Sequence, residues 1–323
     1  MLNLRKLGKS NIAITPIGLG CWQFSEGKGF AGKYWGAVED QTMIDIVKTS
    51  LEGGINWFDT AEAYGWGRSE AALSRALKTL DKADGDVIIA TKWMPVFRCA
   101  RSITRSIDNR LNHLNGFHID LHQIHSQYGS FSSYEKQMEA MAQLVHDGKI
   151  RTVGISNFSA RVMRQAYESL AKYNLPLVSN QMEYSLLKRR IESNGVMEMA
   201  KELGITIIAY SPLAQGLLSG KFHDDPNLIK GRSGPRRYRP QFKKRGLQKS
   251  APVVEELKRL AEKYDATPSQ MALRWLIQFH GDTVVAIPGA TKIRHAEENV
   301  GVLNFILEED DLVRLDKVTR QFL

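Results

Sequence analysis

The sequence contains no long apolar run and only two cysteines. No segment approaches the ~18 consecutive apolar residues of a membrane-spanning helix, and no apolar stretch follows the basic residues near the N-terminus, so we expect neither membrane insertion nor export. Cys21 and Cys99 fall in different predicted units and match no metal-ligand or redox spacing. Two reduced thiols are typical of a cytoplasmic protein, which is the location we expect.

Acidic residues are absent from residues 229–249, here called the basic segment, which contains nine lysines and arginines. The other 35 of the 44 basic residues equal the 35 acidic ones in number, so the formal charge of +9 arises from the basic segment. One loop rich in Gly and Pro does not match the groove-reading motifs of nucleic-acid-binding proteins. We expect no nucleic-acid partner, and we interpret the basic segment as a loop facing a phosphorylated cofactor.

Short β-rich runs alternate with helical stretches along the chain, which favours a parallel sheet covered by helices. Residues 4–19 predict a hairpin that plugs one end of a barrel, and no linker interrupts the units that follow. We predict a single α/β domain over residues 1–323, a (β/α)8 TIM barrel with an N-terminal β-hairpin and long C-terminal-face loops. The predicted barrel strands are 17–20, 56–58, 87–90, 120–124, 152–155, 177–179, 206–209 and 284–287. The predicted helices include 41–52, 102–114, 134–146, 160–171, 196–203 and 268–278.

A polar or ionisable residue lies at the end of nearly every predicted strand. The intervals between these residues are 25 to 33 positions, about one βα unit each. In a parallel barrel such positions meet at the C-terminal mouth, where the active sites of this architecture are built. A doubly wound sheet would also alternate strands and helices, but no G-x-G-x-x-G follows the first strand, so we prefer the closed barrel. The residues are Asp59, Lys92, His125, Ser156, Gln181 and Tyr210.

The predicted barrel mouth contains a carboxylate, a phenol and an ammonium, which belong to Asp59, Tyr64 and Lys92. Each has an ordinary alternative: the aspartate could cap a turn, the tyrosine could pack, and the Asp59–Lys92 pair could be structural. A cation close to a phenol favours the phenolate, however, and so lowers the cost of donating the phenol proton.

His125 follows the fourth predicted strand, and strand alternation points it toward the other mouth groups rather than toward the core. A single histidine is usually structural, but this one is the fourth polar group at a common level, which favours a donor that orients a carbonyl. His122 and His125 could also suggest zinc. We do not expect a metal, because no third ligand of suitable type follows and Lys92 would place a positive charge beside it.

These motifs resemble the catalytic motifs of the aldo-keto reductase superfamily, and the resemblance spans almost the whole chain. Single motifs could arise by chance, but an ordered series is far more specific. The matching stretches are Asp59-Thr60-Ala61 with Tyr64-Gly65, Thr91-Lys92, Gln123-Ile124-His125, Gly154-Ile155-Ser156-Asn157-Phe158, Asn180-Gln181-Met182-Glu183-Tyr184-Ser185, Ala209-Tyr210-Ser211-Pro212-Leu213, and Ile287-Pro288-Gly289 with Glu298-Asn299.

The resemblance implies an NADPH-dependent reduction of an aldehyde or ketone, with a small-molecule carbonyl compound as the partner. It makes Asp59, Tyr64, Lys92 and His125 the catalytic tetrad, with Tyr64 as the general acid. Polar side chains would hold the nicotinamide carboxamide and an aromatic face would hold its ring. The implied cofactor-binding residues are Ser156, Asn157, Gln181, Tyr210, Ser211, Pro212, Leu213, Gly216, Gly289, Lys292, Arg294, Glu298 and Asn299.

The choice between NADP and NAD depends on the last predicted helix. Its amino end can bind phosphate, which makes Lys292 and Arg294 candidates for the 2′-phosphate of NADP. They could equally be solvated helix residues, so we favour NADP and keep NAD possible. His122 departs from the family pattern, in which tyrosine is common at that place, and residues 222–248 match no substrate loop.

Four aromatic side chains just past strand ends could form the wall of an apolar substrate pocket or pack beneath loops. They are Trp22, Trp66, Trp93 and Phe97. Two other functions stay open at this point. One is a regulatory protein similar to potassium-channel β subunits, which would bind the nucleotide without turnover, and the other is a phosphate-binding barrel lyase or isomerase.

Overall fold

The computed structural model describes residues 4–28, 34, 36–231 and 237–323. Within these ranges the chain forms two short antiparallel strands and then eight parallel strands that alternate with helices. The strands are β1 (Arg5–Lys6), β2 (Ala13–Ile14), β3 (Leu19–Gly20), β4 (Trp57–Asp59), β5 (Ile88–Trp93), β6 (Ile119–Ile124), β7 (Ile150–Ser156), β8 (Leu177–Glu183), β9 (Thr206–Tyr210) and β10 (Val284–Ala286).

The α-helices lie between and after the parallel strands, and their apolar faces form the main core against the outer face of the sheet. They are α1 (Asp40–Glu52), α2 (Arg68–Thr79), α3 (Arg101–Leu114), α4 (Tyr134–His146), α5 (Ala160–Ala171), α6 (Val196–Leu203), α7 (Lys221–Asp224), α8 (Lys244–Lys263), α9 (Pro268–Gln278), α10 (Ile293–Gly301) and α11 (Glu309–Thr319). None of the described helices is long and apolar enough to cross a membrane.

The strands from β3 to β10 lie side by side in chain order, each parallel to the next. Two isolated bridges, Ile17–Ala286 and Gly20–Gly289, join the first strand to the last and close the barrel. The predicted barrel class and the N-terminal hairpin are confirmed.

The hairpin β1–β2 covers one end of the barrel. Its apolar side chains Leu7, Ile12 and Ile14 are buried in a second core with side chains from inside the barrel, among them Trp57 and Leu121. Burial of this apolar surface stabilises the hairpin on the barrel. The opposite end is left open for the polar residues at the carboxyl ends of the strands.

Helix boundaries follow local sequence signals. Ser133 caps α4 by accepting from the backbone N–H of Lys136, and Thr267 begins α9 with a capping box to Gln270 and Pro268 at the first helical position. The predicted bounds of α4, α5, α6 and α9 are confirmed, and α1 and α3 each begin one residue earlier than predicted. The sequence analysis gave no bounds for α2, which fills a gap where a helix was expected, or for α7, α8 and α11.

Several strands extend beyond their predicted ends. The strand predicted at 87–90 runs to Trp93, and the strand predicted at 177–179 runs to Glu183. The prediction ends each strand at a polar residue. In a barrel, however, a polar residue can belong to the strand when its side chain points into the mouth. Lys92, Ser156 and Gln181 therefore lie inside strands.

The basic segment is not one loop. Its last six residues begin helix α8, which starts at Lys244, and residues 240–242 form a short 3₁₀ helix. Two of its predicted cations, Arg232 and Arg236, lie outside the described residues. Helix α8 is amphipathic and buries Val253 and Leu257. The periodicity of its apolar residues therefore favours a helix there despite the local positive charge.

Candidate active site

Lys92 is the centre of a buried polar group at the barrel mouth. Its ammonium contacts the Asp59 carboxylate and donates to the carbonyl oxygen of Thr60 at 2.8 Å. It also lies 3.4 Å from the phenol oxygen of Tyr64. Lys92 has 0% exposure, so these contacts replace the water that a buried ammonium loses.

Side chains from three other strands, β5, β6 and β8, contact the Asp59 carboxylate. Asp59 is the last residue of β4, and its Oδ2 accepts from the amide of Gln123 on β6 at 3.1 Å and from the amide of Gln181 on β8 at 2.9 Å. These hydrogen bonds and the contact with Lys92 fix the carboxylate in place. Asp59 thus gives Lys92 a counter-charge at a defined position.

Tyr64 is carried by a tight turn after β4. Its backbone N–H donates to Ala61, its carbonyl accepts from Ser69, and Gly65 follows with a φ of +70°. A Cβ at Gly65 would meet the carbonyl oxygen of Ser25 at 2.7 Å, so glycine allows both the left-handed backbone and the close approach. The turn aims the phenol at Lys92.

The pKa of Tyr64 is raised above its ordinary value of about 10 because the phenol is buried. Lys92 lowers the pKa and Asp59 raises it, and burial outweighs the contribution of Lys92. Lys92 thus acts in the predicted direction, but the larger effect of burial leaves the pKa raised. Burial also acts to lower the pKa of Lys92, but Asp59 and Tyr64 act in the opposite direction and leave the pKa raised, so the ammonium is charged at neutral pH.

His125 follows β6 and faces the phenol. Its ring meets the Tyr64 ring edge-on with centroids 5.7 Å apart, and its backbone N–H donates to Trp93. Burial, with a smaller contribution from Lys92, lowers the pKa of His125 to about 3. The imidazole is therefore neutral at physiological pH and carries one N–H donor, while its Nδ1 is buried and has no hydrogen-bond partner among the described residues.

His122 lies on the other side of β6, away from the mouth. It is 1% exposed, and burial together with the nearby Arg110 lowers its pKa to about 3. His122 and His125 therefore do not share a face on which both could ligate one ion. Among the described residues, no three His, Cys, Asp or Glu side chains come together in a way that could hold a metal ion.

A cavity of about 570 Å³ opens beside Tyr64 and His125. One wall is a chain of hydrogen bonds: Tyr210 donates to Asn157 Oδ1 at 3.0 Å, and the Asn157 amide donates to Ser156 Oγ at 3.0 Å. Most of the residues predicted to bind a cofactor line this cavity. They are Ser156, Asn157, Gln181, Tyr210, Ser211, Pro212, Leu213, Gly216, Gly289, Arg294, Glu298 and Asn299.

The cavity has unpaired polar atoms of the kind that an elongated polar ligand would satisfy. Nδ2 of Asn299 and Oε1 of Gln23 are both buried without a hydrogen-bond partner in the described structure, and both residues line the cavity. The start of α9, residues 267–269, lines it as well, which brings a helix N-terminus to the wall. Buried polar groups without partners are costly, so this surface fits a polar, anionic group such as a dinucleotide.

A sequence model of the aldo/keto reductase family matches residues 16–320. The chain belongs to the aldo/keto reductase family. The probable aldo-keto reductase 1 of Glycine max is 31% identical over 316 residues, which cover 95% of this chain and 86% of the relative. The solved structure of a glycerol dehydrogenase from Gluconobacter oxydans has a TM-score of 0.83 at 26% identity, over 99% of this chain and 96% of that chain. An aldo-keto reductase from Klebsiella pneumoniae, solved in complex with NADPH, has a TM-score of 0.75 at 25% identity, over 99% and 96% of the two chains.

Three of the four aromatic residues predicted for the substrate pocket of this reductase do not line the cavity; Trp22 does. Trp93 is 1% exposed, packs in the main core and donates to Ser102 Oγ, because alternation along β5 turns it outward when Lys92 points inward. Trp66 and Phe97 are 67% and 81% exposed, and both have a positive φ.

Lys292 does not line the cavity either. It is the exposed residue that precedes α10, whereas Arg294, two positions later, faces the cavity and lies 3.4 Å from Glu298. Lys292 has extended backbone before the helix, with φ −147° and ψ 151°, whereas Arg294 lies in the first helical turn. Of the two candidates for a cofactor phosphate, the structure favours Arg294.

Several residues that line the cavity in this aldo-keto reductase were not predicted from the sequence. Most lie in loops or at helix starts, where apolar periodicity carries no signal, but the Thr267-Pro268-Ser269-Gln270 capping pattern could have marked the start of α9. The missed residues include Gln23, Gln215, Ser219, Lys221, Thr267, Pro268, Ser269, Thr291 and His295.

One residue of the basic segment reaches toward the cavity. The guanidinium of Arg239 lies 5.4 Å from the ring of Tyr34, and the Tyr34 hydroxyl donates to the side chain of Gln215, which lines the cavity. Arg239 is close enough to act on the pKa of Tyr210 as well. Among the described residues of the basic segment, Arg239 is thus the one whose contacts agree with a cofactor-facing position.

Proposed function

We propose that this aldo-keto reductase uses NADPH to reduce an aldehyde or ketone to an alcohol, with Tyr64 as the general acid. The observation that carries the proposal is the contact between Tyr64 Oη and Lys92 Nζ at 3.4 Å, with Lys92 anchored on Asp59 and His125 facing the same phenol. A phenol with a fixed cation and a neutral imidazole beside it is suited to giving a proton to a carbonyl oxygen.

The cavity residues suit NADPH as the cofactor, which is the molecule in the Klebsiella pneumoniae relative. Ser156, Asn157 and Gln181 supply the hydroxyl and amides that would bind a carboxamide, and Tyr210 presents an aromatic ring beside them. Arg294 is the cation that would bind a 2′-phosphate. When bound, NADPH would supply the hydride that is added to the carbonyl carbon.

The protein's own part in the reaction is the handling of a proton. Because burial raises the pKa of Tyr64, the phenol keeps its proton at neutral pH until a stronger base, the substrate oxygen gaining negative charge, forms next to it. Lys92 then stabilises the phenolate that remains. The neutral His125 can donate its N–H to the same oxygen and so orient the carbonyl.

Replacement of Tyr64 by phenylalanine tests the proposed acid. Tyr64→Phe should bind NADPH with unchanged Kd, since the hydroxyl is the only group removed, but lose roughly 10²- to 10⁴-fold in kcat, the usual contribution of a positioned acid. Following NADPH absorbance with a panel of aldehydes and ketones measures turnover, and fluorescence titration measures binding. Tyr167→Phe, on the outer surface of α5, is the matched control.

Two results would count against the proposal. Full turnover by Tyr64→Phe would remove Tyr64 as the acid. If the wild-type protein binds NADPH but no carbonyl compound accelerates its oxidation, the chain acts as a nucleotide-binding protein instead, and the reductase activity is contradicted.

A further inference from the structure

A buried group of charged side chains lies behind the turn that carries Tyr64. We call it the Arg110 cluster and define it as Glu62, Glu70, Arg98 and Arg110. Glu70 is fully buried, Glu62 and Arg110 are almost so, and Arg98 is partly exposed. None of the four lines the catalytic cavity. Buried charges are costly to desolvate, so a role other than stability would explain their presence.

Glu62 ties the Tyr64 turn to β5. Its carboxylate accepts from the backbone N–H of Met94 at 2.5 Å, and its own backbone N–H donates to the carbonyl of Lys92 at 3.2 Å. The same carboxylate contacts Arg98 and accepts from Arg110 at 2.8 Å. Glu62 is two residues before Tyr64, so these bonds fix the turn against the strand that carries Lys92.

Glu70, on α2, holds β5 from the other side. It accepts from the Thr91 hydroxyl at 2.6 Å, and its second oxygen lies 3.1 Å from Nε of Arg110. Alternation along β5 points Thr91 outward to Glu70 and Lys92 inward to the mouth. The guanidinium of Arg110 therefore joins two carboxylates, by a hydrogen bond to Glu62 on the Tyr64 turn and by an ion pair to Glu70, which is bonded to the residue before Lys92.

We propose that Arg110, acting through Glu62 and Glu70, is a positioning residue that sets the separation of Tyr64 from Lys92. A planar guanidinium binds two carboxylates in a fixed geometry, which a point charge cannot do. The inference rests on the proposed function, because the separation matters only if Tyr64 is the acid. A cluster serving stability alone would not need hydrogen bonds to the backbone and side chain on both sides of Lys92.

Glu62→Gln is the principal test, because it keeps the size of the side chain and removes its charge. We expect kcat to fall roughly 10- to 100-fold, as a misplaced catalytic group does, with the Kd for NADPH unchanged. In a crystal structure of the variant with NADP, the Tyr64 Oη to Lys92 Nζ distance should exceed the ~3.5 Å reach of a hydrogen bond.

Glu192→Gln is the matched control. Glu192 is also a nearly buried carboxylate that accepts from an arginine, Arg189 at 2.7 Å, but it lies outside the catalytic cavity. We expect it to lose stability without losing kcat. Equal falls in kcat for both variants would show a general effect of lost stability and overturn the positioning role.

A second variant tests the inference if Glu62→Gln does not fold. Arg110→Lys keeps a cation in the cluster but cannot span both carboxylates, so we expect the same lengthened distance and a smaller fall in kcat. An unchanged Tyr64–Lys92 distance in the folded variants overturns the inference, whatever their rates. Failure of wild-type turnover would instead contradict the proposed function, since the distance is measured independently of activity.

Discussion

His122 and His125 lie three positions apart, and both have a pKa lowered to about 3, yet they have different surroundings. His125 opens on the cavity and faces Tyr64, where a neutral imidazole can donate to a substrate. His122 faces Arg110 on the outer side of β6 and does not line the cavity. Burial is the largest cause of the shift at both residues, so a depressed pKa alone does not distinguish a catalytic histidine from a structural one.

The buried His122 should make the fold sensitive to acid. In the unfolded chain a histidine takes up a proton near pH 6.5, but folded His122 does not until about pH 3. The unfolded state therefore binds more protons in this window, so stability increases with pH and is lost on acidification. When the pH falls from 7 to 5, the free energy of unfolding of the wild type should decrease by about 2 kcal/mol more than that of His122→Gln.

Urea unfolding at the two pH values measures this difference. His146→Gln, a change at an exposed histidine on α4, is the control and should lose as much stability as the wild type. An identical pH dependence for His122→Gln and wild type would show that folded His122 titrates normally.

At the scale of the elements, the beginnings of two helices contribute to the cavity. The start of α9 is fixed by its capping box, which holds Thr267 and Ser269 at the wall, and α10 brings Arg294, Glu298 and Asn299 to the same cavity. Backbone N–H groups at a helix start favour anions, and a cation beside them adds to that preference. The cavity end formed by α9 and α10 is therefore suited to phosphate.

Comparison of Arg294 and Lys292 tests this end of the cavity. Arg294→Met should weaken NADPH binding roughly tenfold or more, because a charged hydrogen bond is lost, while NADH binding changes little. Lys292→Met should leave both unchanged, since Lys292 does not line the cavity. Fluorescence titration of both nucleotides with both variants gives the four dissociation constants. A larger effect at Lys292 than at Arg294 would contradict the assignment.

At the scale of the whole molecule, barrel closure brings the proposed catalytic groups together. Asp59, Lys92 and His125 come from three successive βα units, and Gln181 is held on Asp59 across 122 positions of sequence. Closure requires close contact where the first strand meets the last. Gly18 donates to Ala286 there, and its Cα packs against the ring of Trp57 inside the barrel.

Gly18→Ala tests how tightly the barrel closes. An added Cβ at Gly18 would lie 2.3 Å from the Trp57 ring, so the buried indole must shift, and we expect a loss of about 1–3 kcal/mol in unfolding free energy. Gly231→Ala is the control, because a Cβ there meets nothing nearer among the described residues than a carbonyl oxygen at 3.9 Å. Thermal or urea unfolding measures both. Equal stability of the two variants would show that Trp57 relaxes without cost.

Much of the candidate site could be predicted because its signals are local. Asp59 and Tyr64 belong to one short motif, and the roughly regular spacing of strand ends predicted that Lys92 and His125 would join them. Trp93 was misplaced because β5 was predicted to end too early, although alternation from Lys92 would have turned it outward. The Arg110 cluster gave no local signal, since its members touch only after α2 and α3 have packed against β5.

The sequence by itself determined the succession of strands and helices and the residue type at each strand end, because hydrophobic periodicity and turn chemistry act over a few neighbouring positions. The tertiary structure alone decided that burial raises the pKa of Tyr64 despite the adjacent Lys92, and that Arg294 rather than Lys292 faces the cavity. Solvent exclusion and the direction of a side chain depend on segments that are distant in sequence and meet only when the barrel closes.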